Sequence, residues 1–165
     1  YKFYNNIRII GNSIIFYIIF SDKFIFPVKD TRLSLIKISR YIDFVDFFRE
    51  RKIKVKRYHY KRFINHDVYY SLIKDDNIIC SGWAKKHSIY ISEINKKIKF
   101  SQGLVLYDYN TPIKYRGKGY YTEILRRIIS SYQQVLYIYS LKNNTSSIHA
   151  ISTAGFHKIK ARDII

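Results

Sequence analysis

The chain has 165 residues, of which 47% are hydrophobic and 18% aromatic, and its formal net charge is +18. That apolar content excludes intrinsic disorder despite the charge, and the length suits one domain with a substantial core. A single cysteine, Cys80, excludes an intramolecular disulfide framework and a cysteine-built structural zinc site.

The charge has two sources to weigh. One is a polyanionic partner, such as nucleic acid, an anionic membrane or a phosphate-bearing ligand. The other is compositional bias, since Ile, Asn, Tyr and Phe are also abundant, and it is expected to be the main source. One cysteine fits a reducing compartment, so a cytoplasmic location is expected. No Met occurs, so the chain is expected to be trimmed at its start.

The first strong element is Ile14 to Phe20, a run of Ile, Phe and Tyr. It is far shorter than the roughly 20 residues of a membrane span and lacks a cleavage pattern, so neither a span nor a signal peptide is expected. Its residue types predict a buried strand, hairpinned to Tyr1–Ile10 through Gly11-Asn12. Asp30 or Thr31 then caps a predicted helix carrying Leu33, Ile36, Ile42, Val45 and Phe48, with a break near Ser39 to Tyr41. Residues 49–62 hold eight Lys or Arg against one Glu, followed by interleaved aromatics: a solvated face or an anion site.

Val68–Ile73 and Ile78–Ala84 form a predicted hairpin around Asp75-Asp76-Asn77. Ser88–Ile94 alternates and reads as a strand or a helix, while Leu104–Tyr109 reads as a strand. Tyr121–Ser131 reads as a helix with Ile124, Leu125, Ile128 and Ile129 on one face. A strand at Val135–Tyr139, a short helix at Ser146–Ala154 stopped by Gly155, and a strand at Phe156–Ile159 complete a mixed α/β pattern.

The turn Asn110–Thr122 carries the chemistry. Gly117 and Gly119 let the backbone approach a ligand, and the following helix offers unpaired N–H groups and a positive dipole end. Together these make a phosphate cradle. It is not a P-loop: Pro112 stands where the first glycine belongs, and Gly119 follows Lys118 where Ser or Thr belongs. It is not the dinucleotide fingerprint either, because Thr122 replaces the third glycine.

Arg116-Gly117-Lys118-Gly119-Tyr120-Tyr121 resembles the Arg/Gln-x-x-Gly-x-Gly/Ala motif of the GNAT superfamily of acetyl-CoA-dependent N-acetyltransferases, with Tyr121 departing at the last place. Asn144 through Ala154-Gly155-Phe156 is similar to a second signature of that family, at the usual separation from the first. The resemblance spans residues 103–159. It implies one GNAT-like domain over residues 1–165: a central mixed, mostly antiparallel sheet of six to seven strands flanked by helices, splayed between residues 104–109 and 135–139 to admit acetyl-CoA. It also implies that Tyr109, Thr111, Arg116, Gly117, Lys118, Gly119, Tyr120, Tyr121 and Asn144 bind acetyl-CoA, with no metal, and that the acetyl group passes to a primary amine by direct attack.

Ile151 stands where many relatives carry a Tyr as general acid toward the leaving thiolate. Tyr137, Tyr139 and His149 are substitutes, of which Tyr139 is carried forward. Asp108, near the end of the central strand, is the candidate base. No His-x-x-x-His or Gly-x-Ser-x-Gly pattern competes. The expected partner is a small-molecule amine; the basic run at 49–62 suggests one bearing phosphate, such as a nucleotide-linked amino sugar. The residues around the turn loosely resemble GNAT enzymes encoded with surface polysaccharide genes. No specific nucleic acid is expected, and a homodimer is compatible with the reading. Two rivals stand beside it: a basic nucleic-acid-binding protein, and a GNAT fold that binds acyl-CoA without catalysis.

Overall fold

The computed structural model describes residues 14–20, 26–27 and 30–160. Seven strands form one sheet: β1 Ile14–Phe20, β2 Leu33–Ile38, β3 Val68–Lys74, β4 Asn77–Ile91, β5 Lys96–Asn110, β6 Val135–Leu141 and β7 His157–Ile159. Four α-helices accompany them: α1 Tyr41–Glu50, α2 Arg57–Ile64, α3 Tyr120–Ser131 and α4 Thr145–Thr153. The strand order is β2-β3-β4-β5-β6-β1-β7, antiparallel throughout except for the β5–β6 pair.

The sheet is apolar on both faces. On one, α3 and α4 pack Ile124, Leu125, Ile128, Ile129 and Ile151 against Leu72, Ala84, Leu104, Leu106 and Ile138. Pairs of apolar residues one turn apart give α3 this buried stripe. On the opposite face, α1 and α2 contribute Phe44, Phe48 and Phe63 to an aromatic cluster with Tyr69 and Trp83. The rest of that face holds Ile14, Phe16, Phe100, Val105 and Tyr137.

The second half of the chain follows the sequence reading closely. The Asp75-Asp76 turn has φ of 47° and 61°, the paired positive values of a tight hairpin turn. The first half departs from it. Leu33–Ile38 is a strand: Leu33 and Leu35 reach the α3 face while Ile36 and Ile38 reach the aromatic cluster. Residues buried on both faces of a strand leave no polar alternation, so 33 and 36 imitate helical spacing. Helix begins only at Tyr41. The run Ile14–Phe20 is a strand as expected, but among the described residues it pairs with β6 and β7; the hairpin partner proposed at 1–10 lies outside them. Ser88–Ile91 continues β4, and Ser92–Ile94 is a single 3₁₀ turn.

One irregularity shapes the middle of the sheet. Trp83 stands opposite Tyr107 and Ser81 opposite Asn110, so β5 carries one residue more than β4 over that stretch. The extra residue is Asp108, with φ of 56°. This β-bulge turns Tyr109 onto the α3 face, over Gly82. A Cβ added at Gly82 would lie 2.4 Å from the Tyr109 ring. Gly82→Ala should therefore cost about 1–3 kcal/mol by overpacking. Urea unfolding of G82A, Y109A and the double variant checks this: most of the Gly82 penalty should vanish once the ring is gone.

Candidate active site

Parallel pairing between β5 and β6 covers Leu104–Leu136, Val105–Tyr137 and Leu106–Ile138, then ends, although the strands continue to Asn110 and Leu141. The gap opens where the bulge begins. On the α3 side it meets a cleft of about 1030 Å³. All nine residues assigned to the cofactor line this cleft: Tyr109, Thr111, Arg116, Gly117, Lys118, Gly119, Tyr120, Tyr121 and Asn144.

The cleft floor is the turn into α3. Residues Ile113–Tyr115 make a 3₁₀ turn that the Arg116 N–H closes on the Ile113 carbonyl. Arg116 Nε also donates to the Thr111 carbonyl at 2.9 Å, which folds the loop back on itself. Gly117 and Gly119 have φ of 73° and 75°, and an added Cβ at either would meet nothing within 4 Å. Their side-chain positions are therefore open space, and packing within the protein does not explain the glycines. From Gly117 to Thr122, six consecutive amides have no acceptor among the described residues. They lie at or just before the first turn of α3, the positive end of its dipole.

The charges around the turn fit an anion. Arg116, Lys118 and Arg126 line the cleft and have no carboxylate partner among the described residues. The two acids at its rim are already engaged. Glu123 is bound by Arg127 at 2.8 Å, and Arg127 also donates to the Leu33 and Asp30 carbonyls, tying α3 to the start of β2. Asp30 is held by Arg32 at 3.0 Å, which lowers its pKa to about 2.

Toward the gap the lining becomes aromatic. Tyr109 and Tyr121 stack with ring centroids 5.7 Å apart. Burial raises both phenols; for Tyr121 a hydrogen bond with Ser147 opposes the shift in part. The Tyr109 hydroxyl is buried without a partner among the described residues. Asn144 caps α4 and lines the cleft: its Oδ1 accepts from the Ser147 N–H at 3.1 Å, and its Nδ2 donor has no partner among the described residues. Ile151 is fully buried in the core, so that position offers no group to the cleft, while His149 lines its outer part. Cys80 is also buried; burial pushes its thiol up to about 11 despite a hydrogen bond from Thr111, and it is inert as a nucleophile.

The two residues assigned to catalysis lie outside this cleft, across the gap. Asp108 projects from the bulge and is ion-paired with Arg62 of α2. Tyr139 lies on β6 beyond the last paired residue; burial, then the nearby Glu93 and Asp108 carboxylates, raise its pKa, so it stays protonated. Sequence reasoning placed Arg62 in a diffuse basic run and missed its contact with Asp108. It also missed Tyr107, whose hydroxyl donates to the buried Asp67 at 2.5 Å, with Lys85 on the other carboxylate oxygen at 2.7 Å. These three residues pin β5 just before the bulge. Among the described residues no group of three or more His, Cys, Asp or Glu is placed to hold a metal, and no helix is long and apolar enough to cross a membrane.

No family model and no curated protein matches the sequence. Solved structures match the fold. A GNAT-family acetyltransferase from Colwellia psychrerythraea gives a TM-score of 0.53 at 13% identity, over 88% of this chain and 52% of its own. A GNAT-family protein from Novosphingobium aromaticivorans gives 0.54 at 13% identity, over 90% of this chain and 61% of its own. A conserved protein of unknown function from Staphylococcus epidermidis gives 0.58 at 7% identity, over 94% of this chain and 62% of its own. The chain thus spans between about half and three fifths of the length of these structures. The mostly antiparallel open sheet, with its two central parallel strands parting beside a glycine turn, is the GNAT fold.

His59 of α2 packs against Phe44 and Trp83 in the aromatic cluster. Its Nδ1 accepts the Lys56 N–H at 3.2 Å, so Nε2 carries the proton of the neutral ring. Burial, then Arg62 and Lys56, lower its pKa to about 4. A histidine that resists protonation only when folded lends stability above pH 6.5 that is lost as pH falls toward 4. Urea titrations between pH 7.5 and 4 should show a shallower decline for His59→Gln than for the parent protein.

Proposed function

We propose that the chain is an acetyl-CoA-dependent N-acetyltransferase acting on a primary amine. The observation that carries this reading is the run of six acceptor-free amides from Gly117 to Thr122, opened by two glycines whose side-chain space is empty. Backbone amides at a helix N-terminus suit a pyrophosphate. Arg116 and Lys118 add charge for it, and Asn144 Nδ2 and Thr111 flank the path inward. Bound acetyl-CoA supplies a thioester: its acetyl carbon bonds to the acceptor nitrogen, the carbon–sulfur bond breaks, and CoA leaves as the thiol.

The chain's own part is to hold donor and acceptor on opposite faces of the sheet and to manage protons. An ammonium must lose a proton before it attacks, and the Asp108 carboxylate stands at the gap to take it. Tyr139 keeps its proton at neutral pH and supplies a donor for the leaving sulfur. On the acceptor side, Lys52, Lys54, Lys56 and Arg57 are exposed in the loop before α2 and at its start. Their charge supports an acceptor that bears phosphate, such as a nucleotide-linked amino sugar, and with it a role in surface polysaccharide synthesis.

Calorimetry with acetyl-CoA tests the donor site. The Gly117→Ala/Gly119→Ala variant should raise the Kd at least ~10-fold, since each methyl enters the cradle, while each alanine costs folding only about 1–2 kcal/mol for its left-handed backbone. No binding to the parent protein, or binding indifferent to both glycines, overturns the reading; tight, salt-sensitive nucleic-acid binding in its place favours the rival.

Asp108→Asn tests the base, because Asn tolerates the same left-handed backbone. It should lower kcat by roughly 10²–10⁴ with acetyl-CoA affinity kept. An unchanged kcat at saturating substrate removes Asp108 from the chemistry.

A further inference from the structure

Arg62 occupies an unusual place for a member of a solvent-facing basic run. Its guanidinium lies 4.8 Å from the Trp83 ring centroid, 5.2 Å from Tyr107 and 5.4 Å from Tyr58. Three aromatic faces therefore fix its plane, and the side chain is only 22% exposed. Its backbone is fixed too, because the Arg62 carbonyl accepts the N–H of buried Asp67, the residue that anchors Tyr107. The flexible cations nearby, Lys52, Lys54, Lys56, Arg57 and Lys61, are all exposed.

The Arg62–Asp108 pair is also only half used. One bond joins Arg62 Nη2 to Asp108 Oδ2. Asp108 Oδ1 and the Arg62 Nε and Nη1 groups have no partner among the described residues. The pair thus presents, side by side at the mouth of the β5–β6 gap, an open acceptor held by the bulge and open donors held by aromatic rings. A carboxylate selects an ammonium, and a guanidinium fork selects the two oxygens of a carboxylate or phosphate.

We propose that the Arg62–Asp108 pair is the acceptor-recognition element, and that the acceptor is an amine carrying an anionic group in the same molecule. The inference rests on the transferase reading and narrows its acceptor. Asp108 Oδ1 takes the amine end and sets it at the gap. Arg62 takes the phosphate or carboxylate and orients the molecule. Arg62 is thus a specificity determinant with a defined contact, distinct from the general positive field of the run around it.

Matched acceptors test this with acetyl-CoA saturating: glucosamine against glucosamine 1-phosphate, ethanolamine against phosphoethanolamine, and tyramine against tyrosine. The first two pairs ask for phosphate and the third for carboxylate. The parent protein should favour the anionic member of at least one pair by ~10- to 100-fold in kcat/KM, mostly through KM. Arg62→Gln should bring that ratio close to one. Arg62→Lys should restore part of it, because it keeps the charge without the fork. Lys61→Gln, an exposed neighbour on α2, should leave the ratio intact.

The ratio is taken within each variant, so any general loss of rate cancels. The same pairs, titrated against the CoA-bound protein by ligand-observed NMR, give the ratio where turnover is slow. A parent ratio near one in all three pairs overturns the proposal. So does a ratio that survives Arg62→Gln, or one that Lys61→Gln abolishes equally. Calorimetry on the same samples keeps the two claims apart: intact acetyl-CoA binding with no anion preference sinks this proposal alone, whereas absent acetyl-CoA binding sinks the transferase reading itself.

Discussion

Between the Trp83–Tyr107 and Ser81–Asn110 pairs, β4 advances two residues while β5 advances three. A ladder cannot absorb the extra residue without leaving it unpaired and bending the strand that carries it. Asp108 takes the left-handed conformation this requires, which Asp tolerates better than most side chains. Three consequences follow from one insertion. Tyr109 turns onto the α3 face, where it lines the cleft. Asp108 is left projecting toward α2. The β5–β6 ladder, already down to three pairs, ends at Leu106 and Ile138. Neighbours on both sides hold the bulge in place: Gly82 leaves room for the Tyr109 ring, and Asp67 grips the Tyr107 hydroxyl from the opposite face.

The bulge also explains why the two sets of polar groups do not neutralise each other. The amides and basic side chains of the 116–122 turn lie with α3 and α4 on one face of the sheet. Arg62, Asp108 and the aromatic cluster under α1 and α2 belong to the other. A continuous sheet would separate them with a layer of backbone whose N–H and C=O groups are already paired. Where β5 and β6 part, those backbone groups are free to pair with something extended that passes between the strands. On the proposed transferase reading, a donor held on one face and an acceptor held on the other meet only at the gap, which limits reaction with other nucleophiles.

The legible parts of this protein were local. The turn from Arg116 to Tyr121 and the Asn144-to-Phe156 block each lie within a short stretch whose residue types follow from a backbone requirement: positive φ at Gly117, Gly119 and Gly155, and an N-cap at Asn144. In the second half, the apolar stripe of α3 and the β-branched and aromatic runs of β5 and β6, bounded by turn residues, are clear enough to be read. The β2 strand was not legible, because burial on both faces erased its period of two and left an apolar pattern that fits a helix equally well. The Arg62–Asp108 pair was out of reach for a different reason. Its members are 46 residues apart, on α2 and β5, and meet only because α2 packs over Trp83 and β5 bulges. Neither residue alone signals the other. The one hint was the scarcity of acids, which made Asp108 stand out without naming its partner.

The net charge of +18 is divided by the same logic. An exposed lysine is screened within about 8–10 Å at physiological salt and remains free to swing, so it raises local anion concentration without setting geometry. A guanidinium held among rings, or an amide fixed at a helix start, is already oriented when the ligand arrives and gives up little freedom on binding. By that measure the run from Arg49 to Arg62 is heterogeneous. Arg49 answers Asp46, Arg51 answers Asp76 and Glu50, and the exposed lysines supply field alone. Of this run, Arg62 is the one both held among rings and ion-paired with the bulge residue Asp108. The composition therefore sets a positive field, while the fold decides which of the thirty basic residues are held in a fixed geometry within it.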